Sequence, residues 1–194
     1  MFDVFKAYLN DKITLTDHQF DLVQSASSLK RLRKRQFLLQ EGDIWQRYAF
    51  VCQGCLRIYY LDDKGVEHIM KFCIENWWAG DRESLLTGNP ARTNIDALED
   101  SVVLLFNKED FDQLCQTIPA FGQLINTLID RTYIASQHRI QTNISYSAEE
   151  KYVDFIKTYP AIFNRVPLHM IASYLGVSPE TLSRIRHQAA ARST

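Results

Sequence analysis

The residues best suited to chemistry are polar side chains spaced along one predicted helix near the C-terminal end of the sequence. Its outward positions would carry Pro179, Glu180, Ser183, Arg184 and His187, with Ser178 and Thr181 at its start. An arginine can form two parallel hydrogen bonds with guanine, and a carboxylate can accept one from cytosine. Hydroxyl groups near the start of a helix are suited to phosphate contacts. These residue types at this spacing predict a helix whose outer face reads DNA bases.

A tight turn between two short helices must hold these side chains outward. Gly176 permits the left-handed backbone that ends the first helix, and Val177 fills the inside of the corner. Pro167 suits the first turn of the first helix, and Ser178 is the expected cap of the second. The inward positions are apolar and include a small alanine where the helices approach: Ile171, Ala172, Leu175, Leu182 and Ile185. The pattern from about Pro167 to Gln188 predicts a helix-turn-helix, and the alternative is a helical hairpin that binds no nucleic acid.

The composition is that of an ordinary globular protein and not of a general nucleic-acid coat. The 194 residues are 46% hydrophobic and carry a formal net charge of -1, so DNA binding would need one local basic face. The start Met1-Phe2-Asp3-Val4 is unlike a signal peptide, and no apolar run reaches the roughly 18 to 20 residues of a membrane span. We therefore expect a cytoplasmic protein with no membrane partner. The four cysteines are then expected to be free thiols: Cys52, Cys55, Cys73 and Cys115.

Three styles of sequence follow one another along the chain. Residues up to about 30 favour helix, with a capping box that begins at Thr16. From about Leu32 to Phe106, short β-type runs alternate with turn residues, and Asp62 to Gly65 is an expected hairpin turn. After Asn107 the pattern is helical again. Short strands at this spacing predict a barrel or a sandwich between helical segments.

One predicted helix, beginning at Pro119, is unusually long. Its apolar positions form a stripe a little wider than a coiled-coil seam: Phe121, Leu124, Ile125, Leu128, Ile129 and Ala135. The stripe fits two interpretations, a helix that packs on its own core and a helix that pairs with a second copy of the chain. Polar residues at 141–143 then mark a joint, and a capping box at Ser147 opens the next helix.

Over nearly its whole length the sequence resembles the Crp/Fnr transcription regulators. The resemblance rests on Leu39-Gln40-Glu41-Gly42-Asp43, Gln53-Gly54-Cys55-Leu56-Arg57, Ala97-Leu98-Glu99-Asp100, Ile171-Ala172 and the run from Gly176 to Arg184. It implies an α+β fold: a cyclic-nucleotide-binding-like β-roll with N-terminal helices over residues 1–117, a long dimerisation helix over 118–143 and a helix-turn-helix domain over 144–194. By this match Glu180 and Arg184 fall where the family reads bases.

The resemblance also implies a function. A member of this family is a sequence-specific transcription regulator and not an enzyme, and it acts as a homodimer on double-stranded DNA. RNA polymerase is a further partner that the resemblance suggests. The family's wing, a β-hairpin after the recognition helix, would have only residues 187–194 to form it, and their sequence is not typical of a strand. We therefore expect a reduced or absent wing.

A second departure from the family concerns the effector pocket. The residues that correspond to the family's nucleotide-binding stretch are Gly80, Asp81, Arg82, Glu83 and Ser84, followed by Arg92 and Thr93. Aligned without a gap, the position of the phosphate-binding arginine falls near Gly88, and Arg92 comes four residues later. Asp81 is shorter than the family's glutamate, and Trp77-Trp78 adds bulk nearby. The sequence therefore argues against cyclic AMP, no cofactor is expected, and the pocket takes another small molecule or none.

Other motifs favour structural roles. Cys52 and Cys55 have the spacing of a metal or redox pair, but residues three apart on a strand face opposite sides. The basic run at residues 31–35 is more typical of a solvated strand edge than of a nucleic-acid patch. His68 is isolated, and the His-x-His pair of a cupin metalloenzyme is absent from the sequence. Two alternatives to a DNA reader stay open, a sensor module that acts through a protein partner and a cupin-like β-roll enzyme.

Overall fold

A computed structural model describes the backbone of residues 1–191 and the side chains of residues 1–188. The helices are α1 (Phe2–Asn10), α2 (Asp17–Ser25), α3 (Arg82–Thr87), α4 (Lys108–Thr117), α5 (Pro119–Ser145), α6 (Ala148–Thr158), α7 (Pro160–Phe163), α8 (Leu168–Leu175) and α9 (Pro179–Ala191). The strands are β1 (Ser27–Leu32), β2 (Phe37–Leu39), β3 (Arg47–Gln53), β4 (Leu56–Leu61), β5 (Glu67–Cys73), β6 (Trp78–Ala79), β7 (Asn94–Ala97) and β8 (Ser101–Asn107).

The strands form two antiparallel sheets of four, in the orders β1-β8-β3-β6 and β2-β7-β4-β5. Apolar side chains from both sheets share one core, including Val51 and Val103 from the first and Leu56 and Ile95 from the second. The expected turn from Asp62 to Gly65 joins β4 to β5, and Gly65 has a φ of +77° there. Most residues of β3, β4, β7 and β8 are buried on both faces, because helices cover the outside of the roll. The predicted β-roll is confirmed.

A second core lies between the β-roll and the helices around it. Five phenylalanines from strands and helices meet there, each at most 1% exposed: Phe5, Phe50, Phe106, Phe111 and Phe121. The capping box at Thr16 is present and starts α2, which packs on the same core through Phe20 and Val23. Because Phe121 and Leu124 of α5 are buried here, the first part of the predicted apolar stripe packs on its own chain.

The second half of α5 leaves the body of the protein. Residues 130–138 are all exposed, although they include Tyr133 and Ile134, each 65% exposed. Ile140 and Ile144 further along are 52% and 81% exposed. Apolar side chains of this size are seldom left in water along one helix unless another surface covers them.

The C-terminal helices build a third core that also takes in part of the β-roll. The capping box at Ser147 is present and opens α6, whose Tyr152 and Phe155 are buried. These pack with Ile171 and Leu182 of α8 and α9, and with Phe72 of β5. The helix-turn-helix is therefore docked on its own β-roll.

The C-terminal region differs from the prediction at the start of α8, and its last three residues lie outside the described structure. Pro167 precedes α8 as its N-terminal cap, so it does not stand in the first turn as predicted; its missing N–H is equally harmless there. The stretch after the turn continues as helix to Ala191, which agrees with its lack of strand character. Residues 192–194, the rest of the segment considered for a wing, lie outside the described residues. Within the described chain, no helix is long and apolar enough to cross a membrane.

Candidate nucleic-acid interface

The turn between α8 and α9 has the geometry that its sequence predicts. Gly176 adopts a left-handed φ of +67°, which only glycine takes without strain. The N–H of Val177 then donates to the carbonyl of Ala172 at 3.0 Å and closes the end of α8. The hydroxyl of Ser178 accepts from the N–H of Thr181 at 3.1 Å and so caps α9. The two helices are held at a fixed angle by backbone geometry.

The inner face of α9 is buried and its outer face is open to solvent. Leu182 is fully buried and Ile185 is 7% exposed, and both pack against α6 and α8. The residues predicted to face DNA divide into two groups. Five are exposed, Ser178, Pro179, Glu180, Arg184 and His187, and two are partly buried, Thr181 and Ser183.

The outer face combines a carboxylate and a guanidinium one helical turn apart. Positions i and i+4 share one side of a helix, so Glu180 and Arg184 lie above one another. Hydrogen bonds from its own N–H and from Ser178 hold the pKa of the Glu180 carboxyl below its usual value. Arg184 makes no ion pair with any described residue. Both groups are therefore charged and available to an external partner.

The hydroxyls of Ser178 and Thr181 also bond to each other, since the Ser178 Oγ donates to the Thr181 Oγ1 at 3.1 Å. This pair closes the first turn of α9, where the backbone N–H groups and the helix dipole favour an anion. The arrangement suits a phosphate at the start of the helix and bases along its outer face.

A contact that the sequence did not reveal fixes α8 on the β-roll. The Oγ of Ser173 accepts from the N–H of Ile69 at 3.0 Å and donates to the carbonyl of Glu67 at 3.0 Å. Both partners belong to β5, the edge strand of its sheet. One serine thus satisfies backbone groups that an edge strand would otherwise expose. No local pattern marks Ser173 for this role, because the contact joins segments about a hundred residues apart.

Arg139 of α5 connects the same two elements. Its guanidinium donates to the carbonyls of Ile69 at 3.2 Å, of Tyr174 at 3.0 Å and of Met70. It also lies over the ring of Tyr174, 4.0 Å from the centroid. The long helix, the β-roll and the helix-turn-helix meet at this one side chain.

A group of ion pairs forms a second junction, between the loop before α8 and the β-roll. Arg165, in the loop before α8, donates to both carboxylate oxygens of Glu75 at 2.7 and 3.1 Å and also bonds to Glu99. Glu75 in turn accepts from the N–H of Gly54 at 2.7 Å. Burial raises the pKa of Glu75, but these hydrogen bonds outweigh it and the net pKa is lowered. The pair is therefore ionised near neutral pH and bridges the two domains.

The residues predicted for an effector pocket are held mostly by each other. Asp81 caps α3 by accepting from the N–H of Ser84 at 2.9 Å, and its second oxygen accepts from the hydroxyl of Thr93 at 2.7 Å. The Ser84 hydroxyl accepts from the N–H of Trp45 at 2.9 Å and donates to the carbonyl of Asn89 at 2.6 Å. The polar groups that a nucleotide would use are thus already bonded within the chain.

The remaining residues of that predicted pocket do not converge. Arg82, Glu83 and Arg92 are exposed, and of these only Arg82 lines the large cleft beside α5 together with Gly80. The interior of the roll is filled by apolar side chains, among them Trp45 at 5% exposed. The structure therefore does not gather the seven predicted pocket residues around one cavity.

Cys52 and Cys55 belong to different cores, Cys52 to the second and Cys55 to the third. The sequence argument placed both on one strand, but β3 ends at Gln53 and Cys55 lies in the turn before β4. Burial raises the pKa of the Cys55 thiol to about 12 and that of Cys115 to about 11. Across the described residues no group of three His, Cys, Asp or Glu side chains is placed to hold a metal ion.

Comparison with known proteins gives a consistent result. Residues 29–118 match the family model of the cyclic nucleotide-binding domain. The sequence is 27% identical to the fumarate and nitrate reduction regulatory protein of Vibrio cholerae over 186 residues. This match covers 89% of this chain and 73% of that protein. It is 26% identical over 165 residues to the transcriptional activator protein Anr of Pseudomonas protegens, covering 79% and 67%.

Solved structures share the fold over most of the chain. FixK2 from Bradyrhizobium japonicum has a TM-score of 0.74 at 17% identity, covering 86% of each chain. The global regulator CLP of Xanthomonas campestris also has a TM-score of 0.74, at 14% identity, covering 92% of this chain and 93% of that one. The β-roll, the long helix and the helix-turn-helix follow one another in this order along the chain. Over most of its length the chain is similar to transcription regulators of the Crp/Fnr type.

Proposed function

We propose that the chain is a sequence-specific DNA-binding regulator that acts as a homodimer on a pseudo-palindromic site. The observation that carries the proposal is the outer face of α9, where Glu180 and Arg184 are exposed, charged and held by a rigid turn. In the major groove Arg184 would read guanine and Glu180 cytosine. The names of the curated relatives, which are transcriptional activators and regulators, support this assignment.

Contacts to the DNA backbone would orient the helix. The N-terminal end of α9, with Ser178 and Thr181, suits a phosphate, while Ser183 and His187 flank the base-reading pair. Pro179 replaces a donor or acceptor with a rigid ring, so it would contribute contact area and no hydrogen bond. Specificity would then rest on Glu180 and Arg184.

A second copy of the chain is the proposed occupant of the exposed half of α5. Tyr133, Ile140 and Ile144 follow one another at intervals of seven and four residues, the spacing of a coiled-coil seam. Pairing of two such helices would cover these side chains and place two recognition helices about 34 Å apart, in successive major grooves. The regulator would work in the cytoplasm, beside DNA and with RNA polymerase as a further partner.

Cyclic AMP is not the proposed effector. Asp81, Ser84 and Thr93 are engaged with one another, and Arg92 is exposed and outside the cleft. A nucleotide would have to break these hydrogen bonds and displace apolar side chains from the roll. We infer that DNA binding does not depend on cyclic AMP.

Selection of binding sites from a random duplex library tests the proposal, with and without cyclic AMP. Enrichment of a two-fold symmetric site that is indifferent to cyclic AMP is the expected result. Enrichment only in the presence of the nucleotide would refute the inference about the pocket. Binding with no sequence preference and little dependence on salt would favour the second candidate, a sensor module that acts through a protein partner.

A further inference from the structure

One side of α5 carries a regular line of positions, which we call the α5 seam. Its six members lie three or four residues apart, a spacing that keeps them on one side of a helix: Asn126, Ile129, Tyr133, Gln137, Ile140 and Ile144. Ile129 is partly buried and the other five are exposed. Four of the six are apolar or aromatic, so the α5 seam is the surface that a second copy of the chain would cover.

The other two members of the α5 seam are amides. Asn126 and Gln137 are exposed, and neither side chain forms a hydrogen bond with any described residue. Polar neighbours on other sides of α5 differ, because the hydroxyls of Thr127, Thr132 and Ser136 each donate to a carbonyl of their own helix. The two amides would therefore enter a contact between two α5 helices with their donors and acceptors unused.

An amide that is buried between two helices needs a partner that both donates and accepts. A second amide meets this requirement, since each offers an NH2 group and a carbonyl oxygen. An apolar side chain opposite the amide leaves both groups unsatisfied, which costs free energy. For this reason a polar position in the seam of a coiled coil favours the alignment that brings the polar groups together.

Possible alignments of two α5 seams differ in what lies opposite the amides. In a parallel, in-register pair each residue faces its own copy, so amide meets amide at both positions. In an antiparallel pair centred on the seam, Asn126 faces Ile144 and Gln137 faces Tyr133. Asn126 can also meet Gln137, in another antiparallel pair or after a slide of eleven residues, but Ile140 and Ile144 of at least one copy are then uncovered.

We propose that Asn126 and Gln137 select a parallel, in-register pair of α5 helices. The inference rests on the homodimer proposed above and adds which residues fix its geometry. Parallel pairing in register places both helix-turn-helices at one end, related by a two-fold axis, as a pseudo-palindromic site requires. A slide by one heptad would move one recognition helix about 10 Å along the axis relative to the other and break this symmetry.

Cysteine cross-linking of the full chain tests the alignment. In the in-register pair the thiol of Ile140→Cys meets its own copy at the distance of a disulfide, whereas antiparallel pairing separates the two thiols by about 15 Å or more. Oxidation should therefore yield a covalent dimer of this variant. The unmodified chain is the blank for the native thiols, of which Cys52, Cys55 and Cys73 are buried.

Removal of the two amides should release the alignment without dissolving the dimer. In the Ile140→Cys background, Asn126→Leu combined with Gln137→Leu should keep the dimer in sedimentation experiments and lower the cross-linked fraction about twofold or more. The matched control is Gln123→Leu combined with Gln141→Leu, because these exposed amides of α5 lie outside the seam. This control should leave the cross-linked fraction unchanged.

Four results would overturn the inference. A protein that sediments as a dimer but gives no covalent dimer of Ile140→Cys is not paired in register. A cross-linked fraction that Asn126→Leu and Gln137→Leu leave unchanged, or that the control lowers equally, removes the role of the two amides. A monomeric wild type refutes the homodimer and this inference with it. Because the cross-link forms without DNA, a protein that behaves as expected but selects no DNA site refutes only the DNA-binding function.

Discussion

The side-chain oxygen of Ser173 lies 3.0 Å from the backbone nitrogen of Ile69, and this hydrogen bond joins the helix-turn-helix to the free edge of β5. The same hydroxyl donates to the carbonyl of Glu67 at 3.0 Å. Strand β5 is paired with β4 on its other side, so Ser173 bonds to its free edge. The position of α8 is therefore tied to the β-roll through the backbone of this strand.

Replacement of Ser173 by alanine should weaken this junction. The N–H of Ile69 and the carbonyl of Glu67 lose their partner, which should lower the free energy of unfolding by about 1 to 2 kcal/mol. Chemical denaturation measures the change. Ser25→Ala, which removes only a bond to the carbonyl of Leu22 within its own helix, is the matched control and should cost less. Equal losses in the two variants would contradict a special role for Ser173.

The Arg165–Glu75 pair predicts a dependence of stability on pH. The pKa of Glu75 in the folded protein lies below its ordinary value of 4.5, so the pair stabilises the fold above that value. This contribution is lost as the pH falls through the lowered pKa. Arg165→Gln should therefore reduce stability at neutral pH and bring the variant closer to the wild type below about pH 4. Denaturation at a series of pH values measures both curves.

The control for this prediction is the Lys108–Asp112 pair, at 2.8 Å, which joins neighbouring turns of one helix, α4. A single ion pair between residues four apart on a helix contributes little, so Lys108→Gln should barely change stability at any pH. A constant offset between Arg165→Gln and the wild type across the acidic range would show that Glu75 does not depend on Arg165.

Replacement of Gly176 should lower the free energy of unfolding through backbone conformation alone. A Cβ added there would meet no atom within 4 Å, so the φ of +67° alone opposes a side chain. Gly176→Ala should lower the free energy of unfolding by about 1 to 2 kcal/mol, and Gly176→Asn by less, because asparagine tolerates the left-handed region. Equal losses in both variants, measured by thermal unfolding, would indicate a steric effect that the structure does not contain.

A charged substitution at Ile140 of α5 should disrupt the proposed dimer. A glutamate there would place a charge in the proposed contact between two α5 helices, so Ile140→Glu should shift the protein from dimer to monomer in sedimentation experiments. Ile44 is exposed to nearly the same degree, 53% against 52%, but lies in the loop before β3. Ile44→Glu should therefore leave the dimer intact. A wild-type protein that is already monomeric at micromolar concentration would refute the proposed pairing.

Local rules explain why the helix-turn-helix could be predicted from sequence. Gly176 fixes the turn, Ser178 caps α9, and Leu182 and Ile185 select its buried face, all within a few residues of one another. The β-roll could be predicted for the same reason, since short β-type runs and turn residues such as Gly65 act over short distances. The capping boxes at Thr16 and Ser147 followed from their four-residue pattern.

Long-range packing explains what the sequence left open. The apolar stripe of α5 fits a core and a dimer equally well, and the structure divides it, since Phe121 is buried while Ala135 is exposed. The bonds of Ser173 and Arg165 join segments that are distant in the chain, and no motif marks them.

Selection of DNA sites by the wild type and by Arg184→Ala tests the central claim most directly. Arg184→Ala should lose roughly 1 to 3 kcal/mol of specific affinity and relax its preference at one base pair in each half-site. Arg186→Ala, which changes an arginine near Tyr152 on the other side of α9, should keep the wild-type sequence preference. An unchanged preference in Arg184→Ala would contradict the account, because α9 would then not read DNA through this residue.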